Sequence, residues 1–368
     1  MSVASSLIPI AERLIAWQKV HGRHDLPWQN THDAYAIWVS EIMLQQTQVT
    51  AVIGYYQKFM QRFPDIASLA ASSQEDVMQH WSGLGYYSRA RNLHKSAQII
   101  VQQHDGDFPQ DFDAIQALPG IGRSTAAAIS SFAFGFSQPI LDGNVKRVFA
   151  RHFLVEGWPG LPRVEKGMWQ IAQEMQPEQE MGAYAQGLMD LGATLCTRSR
   201  PRCLDCPLQD SCGAYLQQRV KELPASKPRK VIPEKQVQML ILRHGDRVLL
   251  EKRPGSGIWG GLWSLPELAL EEDGVTWAQQ HLHMRGLALL EPLPLLSHAF
   301  THFILHIQPQ PVLALELPMQ LQEPGWAWME LSQAINAALP VPVRKILQQL
   351  QKRDSGSPAT EQRQLVFS

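Results

Sequence analysis

Leu118–Phe149, LPGIGRSTAAAISSFAFGFSQPILDGNVKRVF, joins a glycine turn, an apolar helix and an Asp-Gly-Asn helix start in one short stretch. The glycines of Leu118-Pro119-Gly120-Ile121-Gly122 suit a tight turn whose bare N–H groups can approach a phosphate where the next helix begins. That helix continues through Ala126, Ala127, Ala128 and Ile129. A second helix is expected to start between Asp142 and Asn144, where an aspartate can cap free N–H groups ahead of Val145–Phe153. A Gly-x-Gly turn by itself is more often structural than functional, so this stretch alone reads more readily as a helical hairpin with an ordinary N-cap.

The remaining sequence sets wide bounds. With 368 residues, 45% hydrophobic and 18% charged, the chain is long enough for two cores and is neither fibrous nor disordered in composition. Charge, Ser, Gly or Pro interrupts every apolar stretch before the roughly 18 residues a spanning helix needs. Glu12 and Arg13 sit inside an amphipathic pattern, with no signal-like apolar core behind a charged start. The expectation is a soluble, cytoplasmic monomer with no membrane partner. The net charge is −1, with 22 basic against 21 acidic residues up to residue 230 and 11 against 13 beyond it. Bulk charge therefore gives nucleic-acid binding no support, and local motifs must decide.

From Ile8 to Arg219 the apolar spacing is helical, as in Leu14, Ile15 and Trp17, then Tyr35, Trp38 and Val39, then Val49, Val52, Ile53 and Tyr56. Leu223–Lys235, LPASKPRKVIPEK, with three prolines and four basic residues, suits an extended linker. Beyond it, Val237–Leu242 and Val248–Lys252 flank His244-Gly245-Asp246 as a β-hairpin. Further strands are expected at Leu287–Leu290, His302–Ile307 and Trp326–Met329, with helices at Val275–Met284 and Val343–Lys352. From Asp354 the tail is polar and is expected to be disordered.

All four cysteines lie between Cys196 and Cys212, spaced C-x6-C-x2-C-x5-C through Cys203 and Cys206, so they serve one local structure. A reducing cytosol argues against disulfides. Structural zinc usually takes two short knuckles, and only Cys203 and Cys206 form one here. Four thiolates can also hold an iron-sulfur cluster, and generic chemistry leaves zinc and iron-sulfur about even.

This cysteine spacing resembles that of the endonuclease III superfamily of DNA glycosylases. So do Leu118–Gly122, which matches the family's helix-hairpin-helix, and Asp142, which falls on its catalytic aspartate. Within that superfamily the chain is most similar to the MutY-type adenine DNA glycosylases. WVSEIMLQQTQ (Trp38–Gln48), GLGYYSRARNL (Gly83–Leu93) and LDGNVKRV (Leu141–Val148) carry the likeness. The resemblance implies a 4Fe-4S cluster on Cys196, Cys203, Cys206 and Cys212, with Arg198, Arg200 and Arg202 beside it able to meet phosphates. It also places the general acid at Glu41.

The apolar neighbours Ile37, Trp38, Ile42 and Leu44 would raise the pKa of Glu41 by desolvation, so that the carboxyl could protonate a leaving base. Asp142, near helix N–H groups, is expected to stay ionised and to stabilise an oxocarbenium-like sugar. Ser124 follows Gly-x-Gly-Arg, where bifunctional relatives carry the lysine that attacks the sugar, so hydrolysis without a strong lyase step is expected. Lys146 is a nearby amine whose plainer role is a DNA-backbone or helix-surface charge. The resemblance further places Gln46, Tyr86 and Leu44 as groups that wedge into the duplex, Gly120, Gly122 and Ser124 on the backbone grip, and Trp28, Gln186 and Asn144 in the base pocket.

Val237–Glu267 resembles a Nudix fold, notably IWGGLWSLPE at Ile258–Glu267, but Val275-Thr276-Trp277 follows where a hydrolase needs metal-binding carboxylates. Such a domain binds without hydrolysing. Phe300-Thr301-His302 falls on the family's loop that reads 8-oxoguanine, with Thr in place of Ser.

The chain is thus read as an all-α helix-hairpin-helix glycosylase domain with a cluster loop, followed by an α+β Nudix-like domain. The expected bounds are 1–222 for the helical domain with its cluster loop at 196–212, 223–235 for the linker, 236–353 for the Nudix-like domain and 354–368 for the tail. The expected partner is double-stranded DNA carrying A:8-oxoguanine or A:G mispairs. A pyrimidine or thymine glycosylase on the same scaffold and a non-catalytic lesion-binding protein are the alternatives.

Overall fold

The computed structural model describes residues 9–228, 231–316 and 325–356. Among these, every regular element before Glu234 is helical: α1 (Ile10–His21), α2 (Ala34–Leu44), α3 (Val49–Arg62), α4 (Ile66–Ala71), α5 (Gln74–Trp81), α6 (Ser88–Gln103), α7 (Phe112–Ala117), α8 (Arg123–Phe134), α9 (Gly143–His152), α10 (Pro162–Glu174), α11 (Met181–Asp190) and α12 (Gly213–Leu216). Strands then dominate: β1 (Glu234–His244), β2 (Arg247–Lys252), β3 (Trp263–Ser264), β4 (Glu267–Leu268), α13 (Gly274–Leu282), β5 (Leu287–Leu289), β6 (Leu296–Ala299), β7 (Ile304–Ala314), β8 (Trp326–Glu330), α14 (Leu331–Asn336) and α15 (Val341–Gly356). None of the described helices is long and apolar enough to cross a membrane.

The described residues within Met1–Ser72 and Arg91–Arg229 form one compact unit, and those within Ser73–Ala90 and Lys230–Ser368 form a second. The division read from sequence, at residues 222 to 236, differs from this grouping because α5 and its following turn pack with the strands. Trp263 Nε1 donates to Glu75 Oε1 at 2.8 Å, Lys252 pairs with Glu75 at 3.2 Å, and Ser82 Oγ donates to the Leu339 carbonyl at 3.0 Å. No local sequence pattern reports such distant partners.

In the first unit, α2 is buried almost all round, with Trp38, Val39 and Met43 fully enclosed. A helix apolar on every side belongs in a core. Asp33 starts it by accepting the Tyr35 N–H at 2.9 Å, and Glu41 is its single carboxyl. Leu14, Ala127, Val145, Phe149, Met168 and Leu188 from five helices build the adjoining core, each large side chain worth roughly 1.5–3 kcal/mol of burial.

The opening stretch folds as the turn that follows α7, then α8 and most of α9. Gly120 takes φ +83°, and a Cβ there would meet the Asn92 Cβ at 2.9 Å, so glycine is required twice over. Asp142 caps α9 as expected.

In the second unit, β1 and β2 form the expected hairpin inside a mixed sheet of order β3-β2-β1-β7-β5, with β4, β6 and β8 paired to β1, β7 and β2. β1 and β7 run parallel over most of their length. The expected strand at His302–Ile307 is instead Ile304–Ala314, running through Pro309 and Pro311. These prolines lie two residues apart and so face one side. Their carbonyls accept N–H groups from Leu293 and Leu290, away from β1, so no β1 ladder bond is lost. Where the prolines lack donors, Gln310 Nε2 reaches the Leu290 carbonyl at 2.6 Å and Gln308 Nε2 the Leu293 carbonyl at 2.9 Å.

Residues 354–356, expected to open the disordered tail, instead close α15. α15 runs to Gly356, and Arg243 Nη1 donates to both Asp354 carboxylate oxygens at 2.9 Å, which fixes its last turn. The rest of that expected tail, 357–368, lies outside the described residues.

Replacing Gln310 with Met keeps volume but strands the Leu290 carbonyl. Urea unfolding should show a loss of about 1–2 kcal/mol.

Candidate active site

A cavity of about 770 Å³ opens in the first unit, lined from α2, α8, α9, α11 and the segment between α1 and α2. It brings together Trp28, Glu41, Leu44, Gln46, Ser124, Asp142, Asn144 and Gln186 from positions scattered over the sequence.

Asp142 is held from several sides. Its Oδ1 accepts the N–H groups of Asn144 at 2.9 Å and Val145 at 2.8 Å, and its Oδ2 accepts Asn144 Nδ2 at 3.1 Å. The Leu141 N–H beside it donates to Ser124 Oγ at 3.1 Å, so Ser124 braces the approach to the cap. The sequence reading left Asp142 simply ionised by its helix end. Here burial outweighs those bonds and moves its pKa upward, while the N–H donors and Arg147 pull the other way. Glu41 is pushed up to about 7, first by burial and then by the charge of Asp142. Donors converge on Asp142, so negative charge is favoured there and the proton on Glu41.

Three further residues were not singled out from sequence. Arg147 donates from Nη2 to Asn144 Oδ1 at 2.8 Å and to the Gly192 carbonyl at 2.7 Å, and from Nε to the Cys196 carbonyl at 2.7 Å. It thereby ties the start of α9 to the π-helical turn Leu191–Leu195 that leads into the cysteines. Asp190, fully buried, accepts Gln186 Nε2 at 2.9 Å and Arg23 Nε at 2.7 Å, so one carboxylate orients two cavity-lining side chains. Its spacing four residues after Gln186 on α11 was legible; the distant Arg23 was not. Gln45 Nε2 reaches the Gly120 carbonyl at 3.2 Å and braces the glycine turn.

The expected site residues differ in their settings, inside the cavity and outside it. Lys146 pairs with Glu165 at 2.7 Å and does not line the cavity. Gly122 caps α8 with open space around its Cα. Trp28 is buried edge-on against Tyr56, with ring centroids 5.3 Å apart. Gln46 and Tyr86 both adopt left-handed backbone, φ +56° and +49°, uncommon for residues with a side chain and typical of functional positions. In the second unit, the Phe300 N–H donates to the Phe303 carbonyl at 2.8 Å, closing a turn that leaves Thr301 and His302 exposed. Trp259, also left-handed, packs its ring 5.5 Å from that of Phe300.

Cys196, Cys203, Cys206 and Cys212 ring a second, smaller pocket together with Arg151. Among the described residues no three His, Cys, Asp or Glu side chains converge closely enough to hold one ion, so the thiols surround a space and not a point. Burial, and then mutual repulsion, raises the pKa of Cys203 and Cys212 and pushes Cys206 up to about 12. Arg151, buried, donates to Cys196 Sγ at 3.3 Å and to the Thr197 carbonyl at 2.8 Å, placing a fixed cation against the thiols. An all-sulfur donor set with a buried cation fits a thiolate-ligated cluster better than an oxygen-loving metal.

A helical unit whose glycine hairpin leads into a capped aspartate, with a cysteine loop behind it, defines a helix-hairpin-helix DNA glycosylase. The HhH-GPD superfamily base excision DNA repair protein family matches residues 39–174, and the NUDIX domain family matches residues 237–349. The adenine DNA glycosylase of Buchnera aphidicola subsp. Acyrthosiphon pisum is 38% identical, covering 93% of this chain and 97% of its own length. That of Mus musculus is 33% identical, covering 96% and 80%. A solved thermostable thymine-DNA glycosylase matches the structure with a TM-score of 0.52 and 28% identity, over 56% of this chain and 95% of its own. The chain belongs to the adenine DNA glycosylase family.

Two outcomes follow from the packing and charge of the site. The folded pKa of Glu41 exceeds its ordinary value of 4.5, so the folded state holds the proton more tightly than the unfolded chain. Its contribution to stability therefore falls as pH rises from 4.5 to about 7. Glu41→Gln should raise Tm at pH 8 and leave it nearly unchanged at pH 4, as read by calorimetry. A Cβ on Gly192 would lie 2.6 Å from the Asn144 Cβ and 3.1 Å from its backbone. Gly192→Ala should cost about 1–3 kcal/mol in urea unfolding.

Proposed function

We propose that this chain hydrolyses the N-glycosidic bond of adenine mispaired with 8-oxoguanine, and with guanine, in double-stranded DNA. The observation that carries the reading is the pairing of Glu41 and Asp142 in one cavity, with the proton favoured on the first and the charge on the second. Adenine turned out of the helix enters between Trp28 and Gln186. Glu41 protonates it as the bond to C1′ breaks and its electron pair leaves with the base. Asp142 stabilises the sugar cation, and water adds to C1′, giving up a proton that restores the Glu41 carboxyl.

Ser124 offers no amine where a lyase needs one, and Lys146 is engaged with Glu165, so hydrolysis ends the reaction. Gln46, Leu44 and Tyr86 fill the gap in the stack, and Gly120 and Gly122 bring bare backbone to a phosphate. Phe300, Thr301 and His302 read the oxidised guanine from the Nudix-like unit. Cys196, Cys203, Cys206 and Cys212 would hold a 4Fe-4S cluster, which supplies a cross-link for residues 196–212 and stands outside the excision steps. Visible absorbance with iron and no zinc in purified protein is the expected signature.

The structural likeness to a thymine-DNA glycosylase gives the rival reading its support, although it extends over only 56% of the chain. Duplexes carrying A opposite 8-oxoguanine, T opposite G, or an oxidised pyrimidine, each followed by alkaline cleavage of abasic sites, separate the two. Release is expected from the first alone and should vanish in Asp142→Asn. Glu41→Gln should slow single-turnover release by about 100- to 10,000-fold. In the unaltered protein the rate should fall as pH rises through about 7. Efficient borohydride trapping that depends on Lys146 would contradict the hydrolytic route.

A further inference from the structure

Arg344 on α15 is fixed before it meets its most distant partner. Its Nη1 donates to the Ile335 carbonyl at 2.7 Å and its Nη2 to the Ala337 carbonyl at 3.0 Å, at the end of α14 where carbonyls lack helix partners. The same Nη2 then reaches Ser82 Oγ at 2.8 Å, in a turn encoded far upstream among the helices. Ser82 Oγ donates onward to the Leu339 carbonyl at 3.0 Å. Tyr87 Oη donates to that carbonyl at 3.4 Å and accepts the Gly83 N–H at 3.3 Å. Both ends of the Ser82–Tyr87 turn are thus fastened to one short segment of the C-terminal region, within one compact unit.

Between those ends the backbone turns left-handed and presents Tyr86 outward. Gly83, Gly85 and Tyr86 adopt φ of +105°, +77° and +49°. The Gly85 carbonyl accepts Trp81 Nε1 at 3.1 Å and Arg89 Nη2 at 3.2 Å. The Arg89 guanidinium sits 5.4 Å from the ring centroids of both Trp81 and Tyr86, backing the Tyr86 ring while 45% of that residue stays exposed. A left-handed tyrosine persists only where its surroundings over-determine it. Fastening from outside the turn supplies that constraint.

We infer that Arg344 is a positioning residue for lesion discrimination: it locks the Tyr86 turn to the unit that carries Phe300–His302, so both elements meet a duplex from one support. This rests on the proposed reading of 8-oxoguanine by that unit. A lysine at the position cannot make the three guanidinium bonds together, so charge alone does not replace it.

The test uses the full chain. Hydrogen exchange read by mass spectrometry in Arg344→Ala should speed up at Gly83–Tyr87. The single-turnover preference for A:8-oxoguanine over A:G should drop about tenfold. Arg344→Lys should recover only part of either. Ser82→Ala should reproduce both effects, and the double variant should add little, because the two residues share one contact. If Arg344→Ala fails to fold, Ser82→Ala carries both measurements. Exchange at Gly83–Tyr87 unchanged from the unaltered protein overturns the inference, as does loosened exchange with an unchanged preference. Absence of any preference in the unaltered protein sinks the lesion reading instead, and the exchange measurement then still decides the fastening.

Discussion

The carboxylate of Asp142 closing the first turn of α9 is the contact around which the chemistry of the helical unit is built. Burying a charge costs several kcal/mol unless donors replace its water. Here two backbone N–H groups and one side-chain amide do so. The Asn144 amide is itself held by Arg147, which bonds the Gly192 carbonyl of the π-helical turn, and the neighbouring Leu141 N–H is held by Ser124. Gly192 admits the close approach of that turn, since any side chain there would strike Asn144. One carboxylate is therefore positioned from α8, α9 and the chain entering the cysteines. A disturbance in any of the three reaches it.

Glu41 stands in the same cavity under the opposite terms. It projects from a helix apolar on every side, and burial and the neighbouring charge both favour its protonated form. The division of roles between two chemically similar carboxyls comes from their settings: one at a helix start rich in N–H donors, the other on the flank of a buried helix.

Much of this was legible in sequence because it is local. Asp142 announced itself by preceding an apolar helical run, Gly120 by its turn, and Glu41 by being the lone carboxyl among Ile37, Trp38, Ile42 and Leu44. Family resemblance, more than residue chemistry, pointed to Trp28 and Gln186, and folding brings both to the cavity. What escaped depended on distance along the chain. Arg23 and Asp190 meet across 167 residues, and Glu75 finds Trp263 across 188. The strand expected to end at Ile307 runs on through Pro309 and Pro311, and sequence does not say which way a proline faces. The upward shift of Asp142 escaped as well, since desolvation depends on what else fills the cavity.

The assignment of residues 73–90 to the second unit also bears on how the chain assembles. Helix α5 emerges early in synthesis, yet Trp263, Lys252 and Leu339 follow by well over a hundred residues. Loops of that length close slowly, so the helical unit must form while one of its own sequence segments waits for distant partners. A chain ending after the linker would carry α5 with Glu75 and Ser82 deprived of these contacts, a local soft spot open to proteases and misassociation. The Tyr86 turn therefore depends on contacts that the ribosome delivers among the last.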